Sequence, residues 1–133
     1  MKIGMIGSLN YTNASKVKEF LMILRDSFDS ELVIVSGGSK LGVEPIVKKF
    51  ALQFGINYME FNPAFTPYNL YSAMPENYYS KPRHGSHYLH RYLLLATAVE
   101  KLIIFSNPGE DVSFYNIPIG RMKKRGKSFV IVN

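Results

Sequence analysis

The sequence predicts an α/β fold, a single three-layer domain over residues 1–133 built on a parallel five-stranded sheet in the order 3-2-1-4-5. Three observations lead there. Five short apolar runs alternate with four helical patterns, which puts helices on both faces of a parallel sheet. Right-handed crossovers then favour that strand order. Small residues mark the carboxyl ends of three of the strands, at Gly7-Ser8, Gly37-Gly38 and Ser106–Gly109.

The first strand, Lys2–Gly7, is compact and apolar, and Ser8–Asn13 is a polar turn. Thr12 or Asn13 can cap a helix running to about Phe28. Within it Val17, Phe20, Leu21, Leu24 and Phe28 recur at three- and four-residue steps and form one apolar face. The second strand, Leu32–Ser36, leads to a helix over Val43–Phe54 with Ile46, Val47, Phe50 and Phe54 inward, stopped by Gly55. Ile56–Phe61 is the third strand.

Residues 62–85 break the pattern. They hold Pro63, Pro67, Pro75 and Pro82 with Tyr68, Tyr71, Tyr78 and Tyr79, and show little periodicity. A segment of this length inside a compact domain carries function or is mobile. Its aromatics can close over a ligand, pack on the surface or meet another subunit. Ser86–Val99 reads as a third helix, apolar over much of its circumference, which implies burial on more than one side and allows a homodimer. Leu102–Phe105 is the fourth strand, broken by Asn107-Pro108-Gly109. A weak helix over Val112–Arg125 contains Pro118 and Gly120, and Phe129–Val132 is the last strand. The whole is a Rossmann-like arrangement.

A chain of 133 residues buries a real core without staples. It has no cysteine, which excludes disulfides, thiolate metal sites and cysteine nucleophiles. Its start, MKIGMIGS, reads as a strand rather than a signal peptide. The longest apolar run, Tyr92–Val99, is too short to span a bilayer. The expectation is a cytoplasmic protein with no membrane partner. The net charge is +6, and Arg121, Lys123, Lys124, Arg125 and Lys127 cluster near the end. Such a run can attract nucleic acid or phosphorylated ligands. It is more commonly a solvated helix end whose cations offset the macrodipole.

The densest motif is Val33-Ile34-Val35-Ser36-Gly37-Gly38-Ser39-Lys40-Leu41-Gly42-Val43-Glu44. A strand ends in a glycine turn and a helix begins, offering unpaired N–H groups and a positive dipole end to phosphate or another anion. The alternative is a tight turn that binds nothing. The spacing is neither G-x-x-x-x-G-K-[ST] nor G-x-G-x-x-G, so a P-loop NTPase and an ordinary dinucleotide dehydrogenase are poor fits. In doubly wound sheets ligands sit beyond the carboxyl ends of the strands, where the order reverses. That rule gathers Gly7, Ser8, Gly37, Gly38, Ser39, Lys40, Gly42, Glu44, Pro108 and Gly109 at one crevice.

Gly7-Ser8, Ser36-Gly37-Gly38-x-x-x-Gly42-x-Glu44 and Pro108-Gly109 together resemble the SLOG superfamily, which is related to DNA-processing protein A and the Lonely Guy phosphoribohydrolases. The resemblance is to the small single-domain branch found in bacteria and phages, with its V-S-G-G-x-x-x-G-x-D pattern. Phe61-Asn62-Pro63-Ala64 is similar to the aromatic-x-Pro-Ala after the family's third strand. Arg91-Tyr92 stands where the branch has Arg-Asn, and Glu44 where many relatives have Asp. The loop Asn107–Ser113 lacks the G-G-x-G-T element of the Lonely Guy enzymes and the glutamate that follows it. The resemblance implies binding of nucleotides or nucleotide-derived ligands, sometimes nucleic acid, and catalysis only in some members.

Arg83 and Arg91 are candidate anion contacts, because a guanidinium fork matches phosphate oxygens. Arg91 lies in an apolar helix where an unpaired charge is costly, so it must reach a ligand, a carbonyl, or an acid such as Glu44 or Glu110. His84, His87 and His90 recur every three residues but have no adjacent acidic or cysteine partner for a metal site. They read as surface or crevice histidines. Glu44 can serve as a general base at a ribose or merely hydrogen-bond a sugar hydroxyl. No metal or cofactor is indicated. The first reading is a module that binds a nucleotide-type small ligand, such as a sensor, through the Gly37–Gly42 loop and Arg91. The second is an enzyme that hydrolyses a nucleotide N-glycosidic bond. The third is a nucleic-acid-binding protein that uses its basic C-terminal helix.

Overall fold

The computed structural model describes residues 1–133. Its strands are β1 (Lys2–Gly7), β2 (Val33–Ser36), β3 (Asn57–Glu60), β4 (Lys101–Phe105) and β5 (Ser128–Val132). They form one sheet in the order β3-β2-β1-β4-β5 with every pair parallel. This is the Rossmann-like α/β arrangement that the alternating pattern predicts. The helices are α1 (Ala14–Phe28), α2 (Val43–Gln53), α3 (Ser86–Ala98) and α4 (Asn116–Lys124). None is long and apolar enough to cross a membrane.

Strand side chains alternate between faces, so each strand feeds two cores. On one face Ile3, Met5, Ile34, Ile103 and Phe105 pack under Val17 and Leu21 of α1 and Val43, Val47 and Ala51 of α2. On the other, Ile6, Val35, Leu102 and Ile104 pack under Tyr92, Leu95 and Ala96 of α3 and Met122 of α4. The Asn13 side chain caps α1 by accepting from the Lys16 N–H at 3.2 Å.

Two expectations change in detail. The helix predicted from Val112 begins only at Asn116, after a separate 3₁₀ turn over Ser113–Tyr115. The Asp111 carboxylate accepts the Ser113 N–H at 2.9 Å and sets that turn apart. Pro118 is then the third residue of α4, where no intrahelical N–H bond is lost.

The segment 62–85 is anchored rather than free. Glu60 donates its N–H to the Tyr71 carbonyl at 2.9 Å and accepts from the Ala73 N–H at 2.8 Å. This parallel bridge lengthens the sheet edge beyond β3. Further on, the Ser80 and Lys81 N–H groups return to the Thr66 and Ala64 carbonyls, both at 3.0 Å. Tyr78 and Tyr68 pack on the buried Tyr79, and Tyr71 packs on Tyr58.

Arg125 follows α4 and caps α3. Its Nη1 donates to the carbonyls of Ala96 and Val99, each at 2.7 Å, where a helix end leaves acceptors without partners. Lys127 pairs with Glu100 at 2.7 Å. Replacement Arg125→Ala is expected to lower the unfolding free energy by about 2 kcal/mol, the loss of charge-assisted bonds to two half-buried carbonyls. Urea denaturation of the two proteins measures this, and equal midpoints would show that water caps α3 equally well.

Candidate functional site

The carboxyl end of the sheet opens into a crevice of about 590 Å³, within the range of small-ligand sites. Its floor is made by the loops after β1 and β2, which cross closely. The Ser8 carbonyl accepts the Val43 N–H, the first of α2, at 3.2 Å. Gly42 sits under that crossing with φ +76°, and a Cβ there would lie 2.0 Å from the Ser8 oxygen. Gly38 has φ +73°, and a Cβ there would lie 2.6 Å from the Asn62 Cβ. Both glycines are therefore set by backbone conformation and by close approach.

Below the loop lies a buried charge network. Glu44 is 1% exposed and Arg91 3%. One Glu44 oxygen, Oε1, accepts the Ser39 N–H at 2.9 Å and lies 3.6 Å from Arg91 Nη1. The other, Oε2, accepts a short hydrogen bond from the Tyr92 hydroxyl. Arg91 donates Nη1 to the Gly37 carbonyl at 2.7 Å, Nη2 to the Tyr92 hydroxyl at 3.2 Å and Nε to the Tyr88 carbonyl at 3.3 Å. Burial, reinforced by the Glu44 charge, pushes the Tyr92 hydroxyl well above its usual range, and Arg91 only partly opposes this. Arg91 therefore meets the internal acid and two carbonyls. The anion at the start of α2 is thus the chain's own Glu44 carboxylate. Val43 has already spent its N–H on Ser8, and Pro45 has none to offer.

The crevice walls differ in charge. From the segment after β3 come Phe65, Thr66 and Arg83, joined by Tyr88 of α3. The Arg83 guanidinium lies 4.9 Å from the Phe65 ring centroid, and its Nη2 donates to the Tyr88 hydroxyl at 2.7 Å. From the segment after β4 come Glu110, Asp111, Phe114 and Tyr115. Burial raises the Tyr115 hydroxyl, and the Glu44 and Glu110 charges add to the rise. Between the walls, the N–H groups of Leu9, Gly38, Lys40 and Leu41 have no acceptor within the chain.

The sequence-predicted residues divide into three groups. Gly7, Ser8, Gly38, Ser39, Lys40 and Arg91 line the crevice. Gly37 and Gly42 do not line it, and Glu44 instead lines a neighbouring cleft with Lys48 and Glu60, where it is 1% exposed and both of its oxygens are already bonded, to Ser39 and Tyr92. Pro108 and Gly109 are exposed in their loop and do not line the crevice; Glu110 and Asp111 of the same loop do. The tyrosines of residues 62–85 are not lining residues either. Phe65 supplies the ring from that segment, and Tyr88, Phe114 and Tyr115 add others. No motif singles out these four rings; only the sheet order, which sets the β3 and β4 loops on opposite sides of β1, brings them together.

Two of the three histidines, His84 and His87, lie with their rings 6.0 Å apart. His84 Nδ1 meets Ser86 Oγ at 2.8 Å, His87 stacks on Phe65 and His90 stacks on Tyr78. In the basic run, Arg125 is held at the end of α3 and Lys127 pairs with Glu100. No protein-family model matches the chain, and no curated protein matches it.

Two outcomes follow from the buried network. Glu44→Ala strands the Arg91 charge and is expected to cost about 3 kcal/mol or more of unfolding free energy. Denaturant titration reads this, and a cost below about 1 kcal/mol, the scale of an exposed pair, would contradict the network's role. Tyr92 and Tyr58, both raised by burial, stabilise the fold fully below the unfolded tyrosine pKa of about 10. That contribution is lost as pH rises beyond it, at about 1.4 kcal/mol per pH unit for each tyrosine. Tyr92→Phe is expected to make this alkaline decline shallower; an unchanged slope would show that Tyr92 ionises freely in the folded protein.

Proposed function

We propose that the protein binds a nucleotide or nucleotide-derived small ligand at the carboxyl ends of its strands. The observation that carries this reading is one crevice, at the point where the strand order reverses, that combines aromatic rings, side-chain cations and unpaired backbone N–H groups. The rings of Phe65, Tyr88 and Phe114 suit the flat face of a base. Lys40, Arg83 and the N–H groups of Lys40 and Leu41 suit phosphate oxygens. The likeness of the Ser36–Glu44 motif to the SLOG superfamily supports the same ligand class.

Binding without turnover accounts best for Glu44. A general base needs access to the proton it takes, and this carboxylate is enclosed behind the loop and bonded to Ser39 and Tyr92. The basic-helix reading loses Arg125 to the end of α3, and the cation of Lys127 is partly offset by its exposed pair with Glu100, which leaves Arg121, Lys123 and Lys124 as a sparse polyelectrolyte contact.

Isothermal titration calorimetry with a panel of nucleoside monophosphates, nucleosides and a short oligonucleotide tests the proposal. At least one monophosphate is expected to bind with one-to-one stoichiometry and more tightly than its nucleoside. Arg83→Ala is expected to weaken the monophosphate about tenfold or more, the scale of one charge-assisted bond, and the nucleoside far less. Oligonucleotide binding with a steep salt dependence and no mononucleotide binding would overturn the crevice reading in favour of the basic helix.

A further inference from the structure

The crevice is electrically lopsided. Lys40 and Arg83 lie with the loops after β2 and β3, whereas Glu110 and Asp111 lie with the loop after β4, on the other side of β1. A phosphate is drawn to the first side and repelled from the second, so a bound nucleotide has only one favourable sense. Its uncharged hydroxyl-bearing part then faces Glu110.

Glu110 is built for that contact. Ser8 Oγ donates to its Oε2 at 2.8 Å, and Asn107 Nδ2 lies 3.5 Å from the same oxygen. Ser8 is itself buried and is held by the Asn10 N–H, which its Oγ accepts at 3.1 Å. These contacts fix one oxygen of the carboxylate and leave Oε1 without a partner in the chain, on a residue that is half-buried in the crevice wall. An ionised carboxylate only accepts hydrogen bonds, so its natural partner is an O–H or N–H donor on the ligand. Asp111 differs: its Oδ1 is committed to the Ser113 N–H, which lowers its pKa, and it serves the turn.

Resting on the nucleotide reading, we infer that Glu110, positioned by Ser8, accepts the sugar hydroxyls of the ligand and makes the site selective for ribose over sugars that lack those hydroxyls. A half-buried acceptor left without its donor is penalised, so the discrimination comes as much from rejecting the deoxy sugar as from holding the ribose.

The test is calorimetry with a ribonucleoside monophosphate and its dideoxyribonucleoside counterpart, on the wild type and on Glu110→Ala and Ser8→Ala. Circular dichroism and thermal melts verify folding of each variant. The wild type is expected to prefer the ribonucleotide about tenfold or more, in line with a hydrogen bond to a charged group. Glu110→Ala is expected to bind both ligands equally, with the dideoxy compound bound more tightly than by the wild type because the unpaired acceptor is gone. Ser8→Ala is expected to narrow the preference. Mononucleotide binding without a ribose preference in the wild type, or a preference that survives Glu110→Ala, overturns this inference and leaves the nucleotide reading standing. No mononucleotide binding at all overturns both.

Discussion

The Glu44 carboxylate, enclosed beneath the glycine loop, is the contact on which the working end of this molecule depends. It joins three elements at once: the loop after β2 through the Ser39 N–H, α2 by its own position, and α3 through Tyr92 and Arg91. Arg91 returns to the loop at the Gly37 carbonyl and closes the circuit. A carboxylate and a guanidinium taken out of water are costly unless they are paired and hydrogen-bonded, and here each nitrogen of the guanidinium and each oxygen of the carboxylate has a partner. The benefit is geometric. The Gly37–Gly42 loop is held at a fixed height over the sheet, and the loop after β1 can rest on it through the contact between Ser8 and Val43.

That arrangement changes what the glycine loop is for. Loops of this kind usually turn their N–H groups and helix dipole toward a bound anion. In this chain the inward anion is covalently part of the protein, and the proposed nucleotide site therefore uses the outer surface of the loop and the walls. The crevice gathers its chemistry from segments far apart in sequence: Lys40 from the loop after β2, Phe65 and Arg83 with Tyr88, and Glu110 with Phe114 and Tyr115. Because the β3 and β4 loops stand on either side of β1, cationic and anionic groups fall on opposite walls, which gives the cavity a direction as well as a volume.

Much of the fold is legible in the sequence, because a buried parallel strand needs a continuous apolar run and a covering helix needs an apolar face. Ile34 and Val35 feed opposite cores from adjacent positions, as such a strand must. The glycine-marked strand ends indicate where a crevice forms for the same reason, since close backbone crossings exclude Cβ atoms. Less was legible where the outcome depended on pairing. That Arg91 meets Glu44, rather than Glu110, depends on where α3 lies relative to α2, and no local pattern encodes it. Phe65, Tyr88 and Phe114 carry no motif, and the tyrosine-rich stretch that drew attention instead packs on itself and on β3. Arg125 reads as one cation in a basic run, yet it is the cap of another helix.

The most direct measurement is a crystal structure of the protein with a bound nucleoside monophosphate. The account predicts a phosphate on the outer side of the loop, within hydrogen-bond distance of Arg83 or Lys40 and of backbone N–H groups, with the Glu44 carboxylate still on the Ser39 N–H. A phosphate that displaces Glu44 from the loop, or that binds away from the crevice, would contradict it.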